Sequence, residues 1–470
     1  MHIDSALEHT PKFSRRDFLR AGLLGGTATL LTSCLPSCGG FLAGAADGEK
    51  TVRQAANRQI VIQVQHPFGG STMAQLVPLW DAYETVQDEV GIEATFVPND
   101  LSANEALFAA VAAGQPPHVT WVDGPQVAEW AERGILESLT DHVEAAGLNE
   151  EDFWVPCWRQ NEYQGQVWAL THTADANFGF FWNKRLFSQA DLDPEWPPTT
   201  VDEVRTFNQI LTKRSGNEIQ QTGIIPWSTY GFANAMFTWG WLFGGQFFDY
   251  EANAVTADHE RNVQALEWMV AVGNDGGGFA AVADFEQSIS GDMGHLFFQD
   301  VLGMAFLGPW ELANIERVAP DLEYGITYAP AGPTPAEPKS SWVGGWSIGL
   351  PKGATETDAA WDFISWACAS DEGTSLYGQL FNQTPGYRRA SWYDVLAAEQ
   401  PRMAQFIEIL ETAKHQRPVM PAQATYMGTL QAHVEEALLG YVTPQDALAS
   451  ATVETQATLD EILERGFGEG

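Results

Sequence analysis

The sequence predicts an α/β fold of at least two domains, built on a parallel sheet covered by helices. Three observations predict it. Short β-branched runs alternate with amphipathic helical stretches, the pattern of parallel strands joined by helical crossovers. About 410 residues follow a leader-like N-terminus, more than one hydrophobic core usually serves. Capping boxes and glycine stops punctuate the helical stretches.

The elements follow in order. Residues 59–65, Gln-Ile-Val-Ile-Gln-Val-Gln, read as a buried strand, and 66–71 as a turn. A helix carrying Leu76, Leu79, Trp80 and Tyr83 runs to residue 87, and 92–97 is a second strand. Ser102 and Glu105 form a capping box before the stripe Leu107, Phe108, Val111 and Ala112, which Gly114 ends. A third strand over 118–122 precedes a helix through Val127, Trp130 and Ala131 that closes at Gly134. A second lobe begins near Asp175. Thr200 and Glu203 form another capping box before Val204, Phe207 and Leu211. Residues 231–248 are rich in Trp, Phe and Gly, 263–272 is an amphipathic helix, 322–329 a strand and 330–338 a proline-rich loop. Thr357 is expected to cap a helix through Cys368. From Met403 the chain is mostly helical, with breaks at Pro418, Pro421 and Pro444, and no internal repeat is visible.

The N-terminus reads as an export signal. Arg15 and Arg16 lie in Ser-Arg-Arg-Asp-Phe-Leu-Arg, a twin-arginine string. The uncharged run 21–33 would reach only about 20 Å as a helix, against roughly 30 Å for a bilayer core. It has the size of a signal h-region, with an uncleaved anchor as the alternative. Leu31-Thr32-Ser33-Cys34 resembles a lipoprotein cleavage box, with Cys34 as the lipid-bearing residue; Cys38, behind Pro36, is the weaker choice. Residues 1–33 are thus assigned to a signal peptide and 34–58 to a flexible tether. The expected location is the outer face of the cytoplasmic membrane, held through lipid on Cys34.

The net charge is −37, from 61 acidic and 24 basic residues. Such a surface repels nucleic acid and anionic head groups, and scarce Lys and Arg argue against an anionic ligand. Adaptation of a solvated surface explains most of the charge. Cys157 and Cys368 are far apart and carry no motif, and Cys368 shares a helical face with Ala360, Phe363, Ile364 and Ala367. It reads as core, and the pairing of the two cysteines stays open.

Gly345-Trp346-Ser347-Ile348-Gly349 matches the G-x-S-x-G nucleophile elbow, with His415 and His433 downstream. The elbow needs a helix straight after the Ser, and Pro351 and Gly353 oppose one. A glycine-flanked strand is the better reading. No P-loop, H-E-x-x-H or paired C-x-x-C exists, so neither a metal nor a cofactor is expected. The chain holds 18 Trp and 26 Phe. Trp residues accompany amides and acids at element ends: Trp121 and Asp123, Asp175 and Asn177, Trp239 and Trp241, Trp310 and Glu311, and Trp346. A flat indole covers the C–H face of a sugar, while Asp, Asn or Arg takes its hydroxyls. Core packing is the alternative for each Trp singly; the set favours a carbohydrate cleft.

Several strings carry a resemblance: Trp168-Ala169-Leu170, Phe181-Trp182-Asn183-Lys184-Arg185-Leu186-Phe187, Met304-Ala305-Phe306-Leu307-Gly308-Pro309-Trp310, the Gly344 to Gly353 run, and Ala359 to Ile364 with Asp371-Glu372-Gly373. In order and spacing the chain resembles the extracellular solute-binding lipoproteins of ABC sugar importers, the group that includes maltose-binding protein. The resemblance implies a two-lobe fold whose hinge is crossed three times, near 173–178, 328–331 and 370–375. Lobe 1 would take 59–173 and 331–370, and lobe 2 would take 178–328 and 376–470. It implies a monomer that binds a neutral mono- or oligosaccharide, more in keeping with a disaccharide or longer, and hands it to a membrane permease without catalysis. By position, Trp310 would stack on sugar and Asp175 and Asn177 would bind hydroxyls. Trp121 or Asp123 would face the cleft, with Trp346 and Arg388 as further contacts. His66 and Phe68 stand where members often carry Trp or Tyr. Two alternatives stay open: the same fold with a polyamine, glycerol-phosphate or peptide, and a secreted esterase or glycosidase using Ser347.

Overall fold

Ile62, Val64 and His66 point inward from the first strand while Val61 and Gln63 are exposed, so the strand is covered on one face rather than buried throughout. Gln63 and Gln65 allow only this pattern, since a second apolar face would strand their amides. The computed structural model describes residues 52–53, 57–68, 70–97, 101–216, 218–228, 230–289, 295–333, 339 and 341–465. Arg15, Arg16, Cys34, Cys38 and most of the expected tether lie outside them.

Three parallel strands form the heart of the first sheet: β1 (Ile60–His66), β2 (Val90–Phe96) and β3 (Val119–Asp123). A short Val52–Arg53 strand lies on the β2 edge. On the other side the chain returns much later as β10 (Trp346–Gly349), antiparallel to β3 and to β4 (Ala169–Thr171). Helices α1 (Gly70–Val86), α2 (Leu101–Ala112) and α3 (Val127–Glu132) are the crossovers expected from the alternation. The second sheet is antiparallel, with β6 (Gly179–Asn183) between β7 (Met304–Leu307) and β8 (Tyr324–Thr327). Among the described residues, no helix is long and apolar enough to cross a membrane.

The apolar residues form separate cores. Ile62, Leu79, Trp80, Ile92, Ile348, Phe363, Cys368 and Tyr377 belong to the first. Cys157, Phe180, Phe237, Trp239, Trp342, Phe406 and Tyr426 belong to the second. Cys157 and Cys368 are both free and buried, each in a different core, so no bridge joins them.

The passages between cores differ in part from expectation. The first is at β5 (Asp175–Asn177), although Trp154 and Cys157, earlier in the chain, already pack in the second core. The second falls later than 328–331, because β9 (Trp342–Gly344) pairs with β5 and packs Trp342 and Val343 in the second core. The third falls later than 370–375, because helix Asp371–Phe381 keeps Tyr377 and Phe381 in the first core. The chain then crosses beside the first passage, where the Ala174 N–H donates to Thr384 O at 2.8 Å. Two capping details also differ. Thr357 is the first residue of its helix, with Glu356 as the cap, and Pro444 opens the last helix rather than breaking one. Thr200 caps as expected, accepting from the Glu203 N–H.

Candidate ligand-binding recess

Register alone brings four of the expected residues together. β10 lies against β3 so that Trp346 faces Asp123, and β9 lies against β5 so that Gly344 faces Asp175 and Trp342 faces Asn177. Gly345 joins the two ladders at φ 129°, where a Cβ would stand 1.8 Å from Thr173 O. Only glycine fits that approach. Asp123 thus sits at the carboxyl end of a parallel strand, where open α/β sheets place their ligands.

Around this junction lies a recess lined by Asp123, Asp175, Asn177, Phe178, Tyr230, Asn234, Trp310, Trp342, Trp346 and Arg417. It offers about 30 Å³ to water-sized molecules, room for only a couple of waters. A sugar ring needs the walls to part.

The charged groups meet across the two cores. Arg417 Nη2 lies 2.8 and 3.1 Å from the two carboxylate oxygens of Asp123, and the Arg417 side chain is 4% exposed. The guanidinium also lies over the Trp342 ring, 5.6 Å from its centre. Burial pushes the Asp123 carboxyl above its ordinary value, against the pull of Arg417 and the Gly124 N–H. Burial, and then the neighbouring Asp123, push Asp175 up to about 7, again opposed by Arg417. Solvent still reaches part of the Asp175 side chain. A second contact crosses the same gap, from the Ala424 N–H to Glu129 Oε2 at 3.2 Å.

The aromatic wall is held by a hydrogen-bond relay. Trp310 Nε1–H donates to Tyr230 OH at 3.0 Å, and Tyr230 donates to Glu311 Oε1 at 2.8 Å. Asn314 donates to the other oxygen of Glu311. Tyr230 stacks on Phe178, whose edge meets Trp342, and Trp342 Nε1–H donates to Thr238 Oγ1. Trp310 follows Gly308-Pro309, and its ring lies where a Cβ on Gly308 would stand.

Asp123, Asp175, Asn177, Trp310 and Trp346 therefore share the recess. Trp121 and His66 line a second hollow together with Trp346, and burial holds His66 down to about 4, hence neutral. Three expected contacts lie elsewhere. Trp239 is fully buried, donates to Pro226 O and packs on Trp268 and Phe306, so it is core. Trp241 stacks on His415 behind Trp342. Arg388 lies over Trp154, its N–H on Asp152 O, outside the recess. Both tryptophans sit on a helix, Phe232–Leu242, that is buried on every face beyond its first residue. Ser347 is buried in mid-strand, and neither His415 nor His433 is its partner: His415 stacks on Trp241, and His433 bonds Glu436 and Glu454.

Sequence reasoning missed Tyr230, Asn234, Phe178, Trp342 and Arg417. Scarcity was the available signal for Arg417, since the body has few cations. Among the described residues, no group of three or more His, Cys, Asp or Glu is placed to hold a metal ion.

Residues 70–373 match the family described as bacterial extracellular solute-binding protein. The maltotriose-binding protein of Pyrococcus abyssi (strain GE5 / Orsay) is 25% identical over 273 residues, 57% of this chain and 54% of that protein. The chain thus spans about half the length of that relative. Among solved structures, CpMnBP1 with mannobiose bound superposes with a TM-score of 0.73 at 22% identity, covering 85% of this chain and 100% of that one. The cyclic α-maltosyl-1,6-maltose binding protein from Arthrobacter globiformis gives 0.70 at 23% identity, covering 86% and 99%. These likenesses show a shared two-lobe fold.

Proposed function

The chain belongs to the bacterial extracellular solute-binding protein family, and from that premise we propose that it captures a carbohydrate between its two lobes and presents it to the permease of an ABC importer. The observation that carries the reading is the composition of one recess. Trp310, Trp346 and the Phe178–Tyr230 pair supply apolar faces, and Asp123, Asp175, Asn177, Asn234 and Arg417 supply hydroxyl partners. Sugars are recognised by that combination. The named ligands of the similar proteins, maltotriose, mannobiose and a cyclic maltosyl-maltose, support it.

Binding is a hinge motion. The recess is closed to a sugar as it stands, so ligand enters an open form and stabilises the closed one through contacts from both lobes. Asp123 belongs to one side and Arg417 to the other, so their pair forms only on closure. The chain acts as a monomeric carrier without chemistry of its own; Ser347, buried in mid-strand, offers no nucleophile to a bound sugar. Export through Arg15 and Arg16 and a lipid on Cys34 would keep it at the outer membrane face. Thermal melting of the chain against mono- and disaccharides, polyamines, phosphate esters and peptides tests the reading. A sugar at 100 times its dissociation constant adds about 2.7 kcal/mol. Stabilisation by a sugar class is expected; stabilisation only by a polyamine, phosphate ester or peptide, or by nothing, overturns it.

A further inference from the structure

The two carboxylates of the recess are not equivalent. Asp123 is paired with Arg417. Asp175 lines the same recess and feels Arg417 only at longer range, with no side-chain hydrogen bond or ion pair seen for it among the described residues. Beside it Asn177, 6% exposed, lines the recess with an Oδ1 that finds no donor. The other walls are the rings of Trp310, Trp346, Trp342 and the Phe178–Tyr230 stack, with Asn234 and Arg417. Burial and then Asp123 push the Asp175 carboxyl up and Arg417 pulls it down, while Cys157 and Tyr377, which also feel Asp175, are pushed above their ordinary values by burial and bring no positive charge.

A neutral sugar hydroxyl can donate to Asp175 but leaves its charge offset only by the more distant pull of Arg417, which is already paired with Asp123. An ammonium group donates to a carboxylate and an amide oxygen together, neutralises the charge, and is attracted by the ring faces. A polyamine would need a free carboxylate for each amine, and Asp123 already holds a cation.

We infer that the recess selects a sugar bearing one basic nitrogen, an amino sugar, over the neutral sugar of the same size. The inference rests on the carbohydrate reading above. The upward push on Asp175 agrees with it, because a carboxylate that resists ionising among its own neighbours is one a ligand cation relieves.

Isothermal titration at pH 7 with glucosamine, galactosamine and mannosamine, each beside glucose, galactose or mannose, and with spermidine, tests it. At least one amino sugar is expected to bind ten times more tightly than its parent. In Asp175→Asn that ratio should collapse to within twofold, whatever happens to the affinities themselves. Raising salt from 20 to 500 mM should shrink the ratio in the unmutated protein, which keeps the test decisive if the variant folds poorly. Ratios within twofold for every pair, in protein that does bind sugars, overturn the inference and leave the carbohydrate reading standing. Spermidine as the tightest ligand overturns it as well. Sugars of neither kind binding overturns both.

Discussion

Replacing Tyr230 by Phe removes one oxygen atom and should be felt twice. The hydroxyl accepts from Trp310 Nε1–H at 3.0 Å and donates to Glu311 Oε1 at 2.8 Å. Glu311 is buried and, among the described residues, keeps only Asn314 as a side-chain donor once that hydroxyl is gone. A hydrogen bond to a charged group contributes roughly 1.5–3 kcal/mol, so Tyr230→Phe should cost about 2 kcal/mol. With an unfolding entropy of about 2.1 cal/mol/K per residue over some 410 residues, the melting temperature falls by about 2 °C. The second effect is on ligand. Trp310 loses the bond that fixes its indole, and re-ordering one side chain on binding costs about 1 kcal/mol. Sugar affinity should therefore drop about fivefold. Calorimetric melting and titration with the best sugar measure the two effects. Glu311→Gln is the control, since it keeps an acceptor for the hydroxyl. A Tyr230→Phe protein that melts and binds as the parent would mean that packing alone holds Trp310, and the relay has no part in recognition.

Three further outcomes are expected. Asp175 has its carboxyl pushed up to about 7 from an ordinary 3.8, so the unfolded chain ionises first and stability relative to Asp175→Asn falls as pH rises from about 4 to 7, then levels. Because solvent reaches the side chain, the change should be about 2 kcal/mol, half that of a fully buried group; parallel melting curves from pH 4.5 to 8 would refute it. Arg417→Ala strands Asp123 unless the lobes part, so stability at pH 8 should fall by less than the roughly 3 kcal/mol of a stranded buried charge, and X-ray scattering of the sugar-free protein should show a more extended particle; an unchanged profile would count against the interlobe role of the pair. Gly345→Ala puts a Cβ 1.8 Å from Thr173 O at φ 129° and should cost about 3 kcal/mol or more in urea unfolding, an unchanged midpoint being the contrary result.

Much of this fold was legible because its signals are local. The alternation of Ile62 and Val64 with polar neighbours, the stripe from Leu107 to Ala112 and the stops at Gly114 and Gly134 each depend on residues within a turn or two. The junction of Asp123, Asp175, Asn177 and Trp346 was legible because each residue ends or begins a readable element. Trp239 and Trp241 misled for a definite reason: Phe232–Leu242 is buried on nearly every face, so its tryptophans carry no polar side to mark which of them faces ligand. Arg388 followed from position in a string, yet the third crossing lies beyond Phe381 and turns Arg388 toward Trp154. Arg417 and Tyr230 act through partners 294 and 81 residues away, and no local pattern encodes such pairs.

Sugar is expected to lie between the lobes against Trp310. A crystal structure of the chain with whichever sugar raises its melting temperature most would test it directly. The expected result is a pyranose ring flat on Trp310, with a polar group on Asp175 and the Asp123–Arg417 pair closed beside it. Sugar lodged elsewhere, such as the outer hollow of about 490 Å³ lined by Tyr163, Tyr250 and Gln416, with the recess empty, would contradict it.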